Sequence, residues 1–163
     1  MGVSMALVSR LVRMYLDDCR MHLDDVRDTA LKLANSGLLQ LLEVAPEGFK
    51  SFSRPYIGVD FWVPGVRERC VAECTRGGGG SECGSYCRFF SRGSVEIDAI
   101  RGRVEGDVPV MKGDVRLVRK VLPSGCEITE IHPHEYLRHV HVRCDTLDKF
   151  VEFIRRLVEK LGR

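Results

Sequence analysis

The chain has 163 residues, 44% of them hydrophobic and 29% charged, with a formal net charge of +2; this is the composition of one domain able to bury a proper core. The apolar content excludes wholesale disorder, and no run of about 18 apolar residues predicts a membrane span. A charge so near zero does not by itself announce a nucleic-acid or membrane partner.

The start, Met1 to Arg13, carries Arg10 and Arg13 within its apolar stretch and lacks a small-residue cleavage pattern, so no secretory signal and a cytoplasmic location are expected. Ser4 can cap a helix whose apolar positions Leu7, Val8, Leu11, Val12, Tyr15 and Leu16 keep helical spacing. A second helical stretch shows Val26, Ala30, Leu31, Leu33 and Ala34 and ends near Asn35-Ser36-Gly37. The acidic pairs Asp17-Asp18 and Asp24-Asp25 read as solvated helix faces. Leu38 to Leu42 forms a short apolar turn before Pro46.

After Pro55 the period changes to two. Tyr56 to Val63 puts Ile57, Val59, Phe61 and Val63 on one side and Tyr56, Gly58, Asp60 and Trp62 on the other. Ser94–Arg101, Asp114–Leu122, Cys126–Ile131 and Leu137–Cys144 read as further strands, with a turn at Pro123-Ser124-Gly125. Asp145 to Asp148 then starts a helix with the stripe Leu147, Phe150, Val151, Ile154, Leu157, Val158 and Leu161. This order predicts an α+β domain with an antiparallel sheet of about four or five strands, the N-terminal helices and the C-terminal helix packing on one face. No internal repeat or long linker divides it. A single domain over 1–163 is expected, helical over 4–42, strand-forming with a cysteine hairpin over 55–144, and closed by a helix over 146–161.

Seven cysteines are many for a chain without an export signal. Four of them form Cys70-x3-Cys74-x8-Cys83-x3-Cys87. The i, i+4 spacing puts each pair on one face of a helical turn. Val66–Thr75 can follow Pro64 as a helix, and after the glycines at 77 to 80 the chain Glu82–Phe90 can return antiparallel. Facing turns would bring Cys70 to Cys87 and Cys74 to Cys83, which is disulfide geometry if the α-carbons lie within about 7 Å. The same spacing admits a zinc or iron–sulfur site with all four cysteines as ligands, and the two readings stand side by side. Cytosolic disulfides are rare outside hyperthermophiles, and a charge-rich composition with one Asn and one Gln fits such a source. Cys126 and Cys144 can form a cross-strand pair, leaving Cys19 over.

Catalytic chemistry has no convincing signature. The glycines at 77 to 80 lack the following Lys-Ser or Lys-Thr of a phosphate-binding loop and read as a hairpin tip. His139 and His141 share a strand face and would chelate a metal only if a third ligand, Glu135 or Asp60, reached them; no cofactor or metal is assigned there. The charge, however, is unevenly spread: 5 basic and 7 acidic residues in 1–49, 13 and 9 in 50–122, 7 and 7 in 123–163. If one sheet face packs on the helices, the other presents Tyr56, Trp62, His139, His141 and Arg143. Arg116, Arg119 and Lys120 from the strand expected at 114–122 would join it, with Arg88, Phe89, Phe90 and Arg92 just after the cysteine hairpin. An open sheet face of aromatics and cations is a platform for single-stranded DNA or RNA, whose bases stack on rings while arginines track the phosphates.

The layout of helices at Ser4–Leu42, aromatic and basic strands at Tyr56–Val63 and Arg116–Lys120, and His139-Val140-His141-Val142-Arg143 running into Leu147–Leu161 resembles the ThermoDBP-related single-stranded DNA-binding proteins of hyperthermophilic archaea. The resemblance covers the order of elements over most of the chain. It implies a helix-flanked antiparallel sheet whose cleft holds a single strand. Some members dimerise through a C-terminal zipper; the sequence stops at Arg163 just after the Leu147–Leu161 helix, which leaves a homodimer open. The four-cysteine hairpin departs from the family pattern. The expected function is non-catalytic single-strand binding. The alternatives are a metal protein built on the cysteines and an interaction subunit of a larger complex.

Overall fold

The computed structural model describes residues 23–50 and 56–162; the helix expected from Ser4, the pair Asp17-Asp18 and Cys19 lie outside the described residues. Helix α1 (Leu23–Asn35) and the single turn α2 (Leu38–Leu41) meet at Gly37, whose φ of 85° suits only a residue without a side chain. Strands β1 (Glu43–Lys50) and β2 (Tyr56–Trp62) follow, then helices α3 (Val66–Arg76) and α4 (Glu82–Phe90), and strands β3 (Arg92–Asp98) and β4 (Val104–Met111). A 3-10 turn at Lys112–Asp114 leads into helix α5 (Val115–Val121), and β5 (Cys126–Pro133), β6 (Leu137–Cys144) and helix α6 (Leu147–Leu161) complete the chain. All six strands belong to one antiparallel sheet in the order β1-β2-β3-β4-β6-β5.

The α+β class holds, with more strands than expected. β1 and β4 were not anticipated. β1 contains Pro46, which a sheet tolerates at its edge, and its pairing with β2 shifts between Val44 and Phe49. β4 contains Gly106 and Pro109, both poor strand formers. Pro109 lies past the last β3 rung, Ser94–Asp107. A Cβ on Gly106 would come within 2.5 Å of the buried Phe150 ring, so that glycine lets α6 press against the sheet.

One expected strand is a helix. Over 115–121 the buried residues Val118 and Val121 are three apart, and α5 packs on α6 instead of entering the sheet. Arg116, Arg119 and Lys120 therefore ride on a helix, away from the strand register that was to carry them.

The strand registers divide the sheet into the expected faces. Ile57, Val59, Phe61, Val95, Ile97, Val140 and Val142 are all buried on one of them, in the core shared with residues of α1, α2 and α6. Thr146 caps α6, its hydroxyl accepting from Lys149 N at 3.2 Å. Helices are not confined to that face. α3 and α4 touch the opposite one, where the Trp62 Nε1–H donates to Arg88 O at 3.0 Å.

The cysteine hairpin forms as the spacing predicts. Disulfides join Cys70 to Cys87 and Cys74 to Cys83, with α-carbons 5.7 and 5.8 Å apart, and Cys126 joins Cys144 across β5 and β6. Sulfurs bonded to each other are not thiolate ligands, so the four-cysteine zinc or iron–sulfur site is set aside. The glycine tip also has its reason here: a Cβ on Gly79 would fall 2.5 Å from Cys83 Sγ and 2.7 Å from Cys74 Sγ.

Candidate nucleic-acid interface

The second sheet face is polar. Cross-strand register lines up Tyr56–Asp98, Asp60–Ser94, Trp62–Arg92, Glu96–Glu105, Asp107–His141 and Glu105–Arg143 on it. Its two ends differ in charge.

At the β2–β3 end, Trp62 is only 5% exposed. Three guanidinium carbons surround its indole, Arg67 at 4.8 Å, Arg88 at 5.6 Å and Arg92 at 5.7 Å. Arg92 also pairs with Asp60 at 3.0 Å, and Arg67 with Glu43 at 3.5 Å. No carboxylate pairs with Arg88 among the described residues. Beyond this group a cleft of about 660 Å³ opens between α4 and the sheet, lined in part by Trp62, Arg88, Phe89, Phe90, Arg92 and His139. Phe89 stands at its rim 72% exposed, and its ring meets Phe90 edge-on at 5.0 Å.

The floor of the cleft is a hydrogen-bonded histidine. His139 is 8% exposed; its Nδ1 lies 2.8 Å from Asp107 Oδ1 and its Nε2 2.5 Å from Phe90 O. Burial opposes the charged ring, but two acceptors facing two ring nitrogens, one of them a carboxylate, outweigh it and raise the pKa above the usual histidine value. His134, 4.7 Å away, is pushed down, first by its own burial and then by His139.

At the β4–β6–β5 end the face is acidic. Arg143 lies between Glu105 at 3.5 Å and Glu127 at 3.3 Å, leaving little charge for a phosphate. His141 faces Asp107 and His132. Glu96 has its pKa raised, chiefly by burial and then by Glu105 opposite it. Tyr56, on β2, lines a separate small hollow of mixed charge with Glu96, Asp98 and Glu105 and with Arg101 and Arg103.

Of the residues expected to bind a strand, the fold therefore gathers Trp62, Arg88, Phe89, Phe90, Arg92 and His139. It leaves His141 and Arg143 on the same face beside carboxylates and Tyr56 in a hollow of mixed charge, and puts Arg116, Arg119 and Lys120 elsewhere. Arg67, Asp107 and His134 were not assigned to the site, and Asp60 was considered only as a metal ligand. Arg67 had no visible signal, since a helix one connection away delivers it to Trp62. His139 and His141 do not converge on one metal, because both nitrogens of His139 are already engaged.

No family model, curated protein or solved structure matches the chain. No helix among the described residues is long and apolar enough to cross a membrane.

Proposed function

We propose that the chain is a non-catalytic domain that binds single-stranded DNA or RNA in the cleft between α4 and the sheet, the activity implied by its resemblance to ThermoDBP-related proteins. The observation that carries this reading is the exposed Phe89 ring beside three arginines held over one buried indole. In this reading Trp62 does not stack on a base. It is a pedestal whose π face and neighbours hold Arg88 and Arg92 in the cleft, with Arg67 beside them over the same indole, while Phe89 offers the free ring. A base stacked there is worth about 1–3 kcal/mol, and the guanidiniums meet the flanking phosphates. The three disulfides fit an oxidising compartment or the cytosol of a hyperthermophile, and the cytoplasmic assignment rests on the second setting.

Anisotropy titration of a labelled single-stranded oligonucleotide tests the proposal. Binding that weakens with salt and with Phe89→Ala supports it; no binding at low salt sinks it. The exposed Phe89 and Ile100 also suit an interaction subunit. That reading predicts a protein partner that co-purifies with the wild type and is lost with Phe89→Ala, while oligonucleotides are ignored.

A further inference from the structure

β5 carries an irregularity with a chemical consequence. Cys126, Glu127 and Ile128 pair in step with Cys144, Arg143 and Val142, but the register then slips, so that Glu130 faces His141 and His132 faces His139. Thr129 is the extra residue. Were the alternation unbroken through Thr129, Glu130 and His132 would lie on the same side as Ile128, towards the helices. The slip turns both onto the polar face beside His141. Bulges that re-aim side chains in this way are concentrated at edges and at sites.

The result is a cluster of three metal-ligating groups from two strands. One ligand atom each from Glu130, His132 and His141 lies within 4.8 Å of the others. The His132 and His141 rings are 4.8 Å apart, and His132 Nε2 is 3.1 Å from Glu130 Oε2. Ligands at about 2.0–2.1 Å from a tetrahedral zinc sit about 3.3 Å from each other. Closing the cluster onto an ion therefore takes a side-chain adjustment on the order of 1 Å. Glu130 and His132 are exposed, so they can move.

We propose that Glu130, His132 and His141 form a zinc-type divalent metal site, with two imidazoles and one carboxylate as protein ligands and the fourth position open to solvent. The donor set selects the ion: imidazole nitrogen with a carboxylate suits Zn²⁺ and, more tightly, Cu²⁺, and does not suit Mg²⁺ or Ca²⁺, which want oxygen alone. The site differs from the His139–His141 pair that strand alternation suggests, and none of its three ligands lines the nucleic-acid cleft, although Asp107 of that cleft lies 3.9 Å from His141 Nε2. A metal there would tie edge strand β5 to β6.

The test is isothermal titration of Zn²⁺ alone into untagged, chelator-treated protein. It is repeated for His132→Ala, His141→Ala and, as a control away from the cluster, Glu159→Gln on α6. About one Zn²⁺ per chain is expected, with affinity at least about tenfold weaker in either of the first two variants and unchanged in the control. In NMR spectra, Zn²⁺ should shift the imidazole signals of His132 and His141. No stoichiometric binding, or binding that survives both substitutions together in a chain whose circular dichroism is unchanged, overturns the proposal.

Discussion

Replacing Phe89 by alanine separates binding from folding more cleanly than any other change at the cleft. The ring is 72% exposed and its contact in the fold is the edge-on one with Phe90, so its removal costs at most about 1 kcal/mol of stability. If a base stacks on it, binding loses about 1–3 kcal/mol, a roughly 5- to 150-fold weaker Kd. The obvious alternative, Trp62→Ala, confounds the two. That indole is buried and hydrogen-bonded to Arg88 O, and its truncation costs about 3–5 kcal/mol of folding stability. Fluorescence anisotropy with a labelled single strand, alongside thermal unfolding of the same preparations, reads both quantities. A Phe89→Ala chain of normal stability that binds within twofold of the wild type would refute the stacking argument.

Gly106→Ala should destabilise by about 1–3 kcal/mol in urea unfolding, because the new methyl meets the enclosed Phe150 ring. Replacing Cys126 and Cys144 together by serine removes a crosslink over a sequence separation of 18 and should cost about 3 kcal/mol. With seven cysteines and three disulfides, thiol titration of the denatured, unreduced chain should find one free thiol. Glu96 has a folded pKa above its ordinary value of 4.5, so the folded chain holds its proton more tightly than the unfolded chain does. The stability this supplies is present below the unfolded value and is lost as pH rises through the raised one. Glu96→Gln should therefore flatten that decline and stabilise the chain near neutral pH by about 0.2–1 kcal/mol, the scale of a like-charge cross-strand pair; melts across the pH range check it.

Much of this architecture is readable before folding because its signals are local. The seven-position stripe of α6, the alternation of β2, β5 and β6, and the turn at Pro123-Ser124-Gly125 each follow from a period or a turn residue. The cysteine pairing was legible for the same reason: two i, i+4 pairs about a glycine tip leave few ways to meet. The misreadings lie where tertiary packing decides. Val115-Arg116-Leu117-Val118 alternates nearly as well as it spirals, and only the seat against α6 selects the helix. Gly106 and Pro109 disguise β4, although Gly106 is there for Phe150. The candidate site was half visible. Aromatics and cations could be assigned to a face, but not the carboxylates Glu105 and Glu127 that absorb Arg143, nor Arg67 arriving over Trp62. The Thr129 bulge, which exchanges His139 for His132 as the neighbour of His141, shows in the sequence only as the three-residue spacing of Ile128 and Ile131, which a period-two reading passes over.

Salt dependence of single-strand binding tests the central claim most directly. Arg88 has no carboxylate partner among the described residues, while Arg67 has Glu43 and Glu68 and Arg92 has Asp60 to exchange. One to three phosphates neutralised predicts a slope of log K against log salt between about −0.7 and −2, a roughly 3- to 20-fold loss between about 50 and 200 mM salt. A slope in that range, made shallower by about 0.7 in Arg88→Ala, is the expected result. Absence of binding at the lower salt, or binding indifferent to both salt and Arg88, would contradict the account.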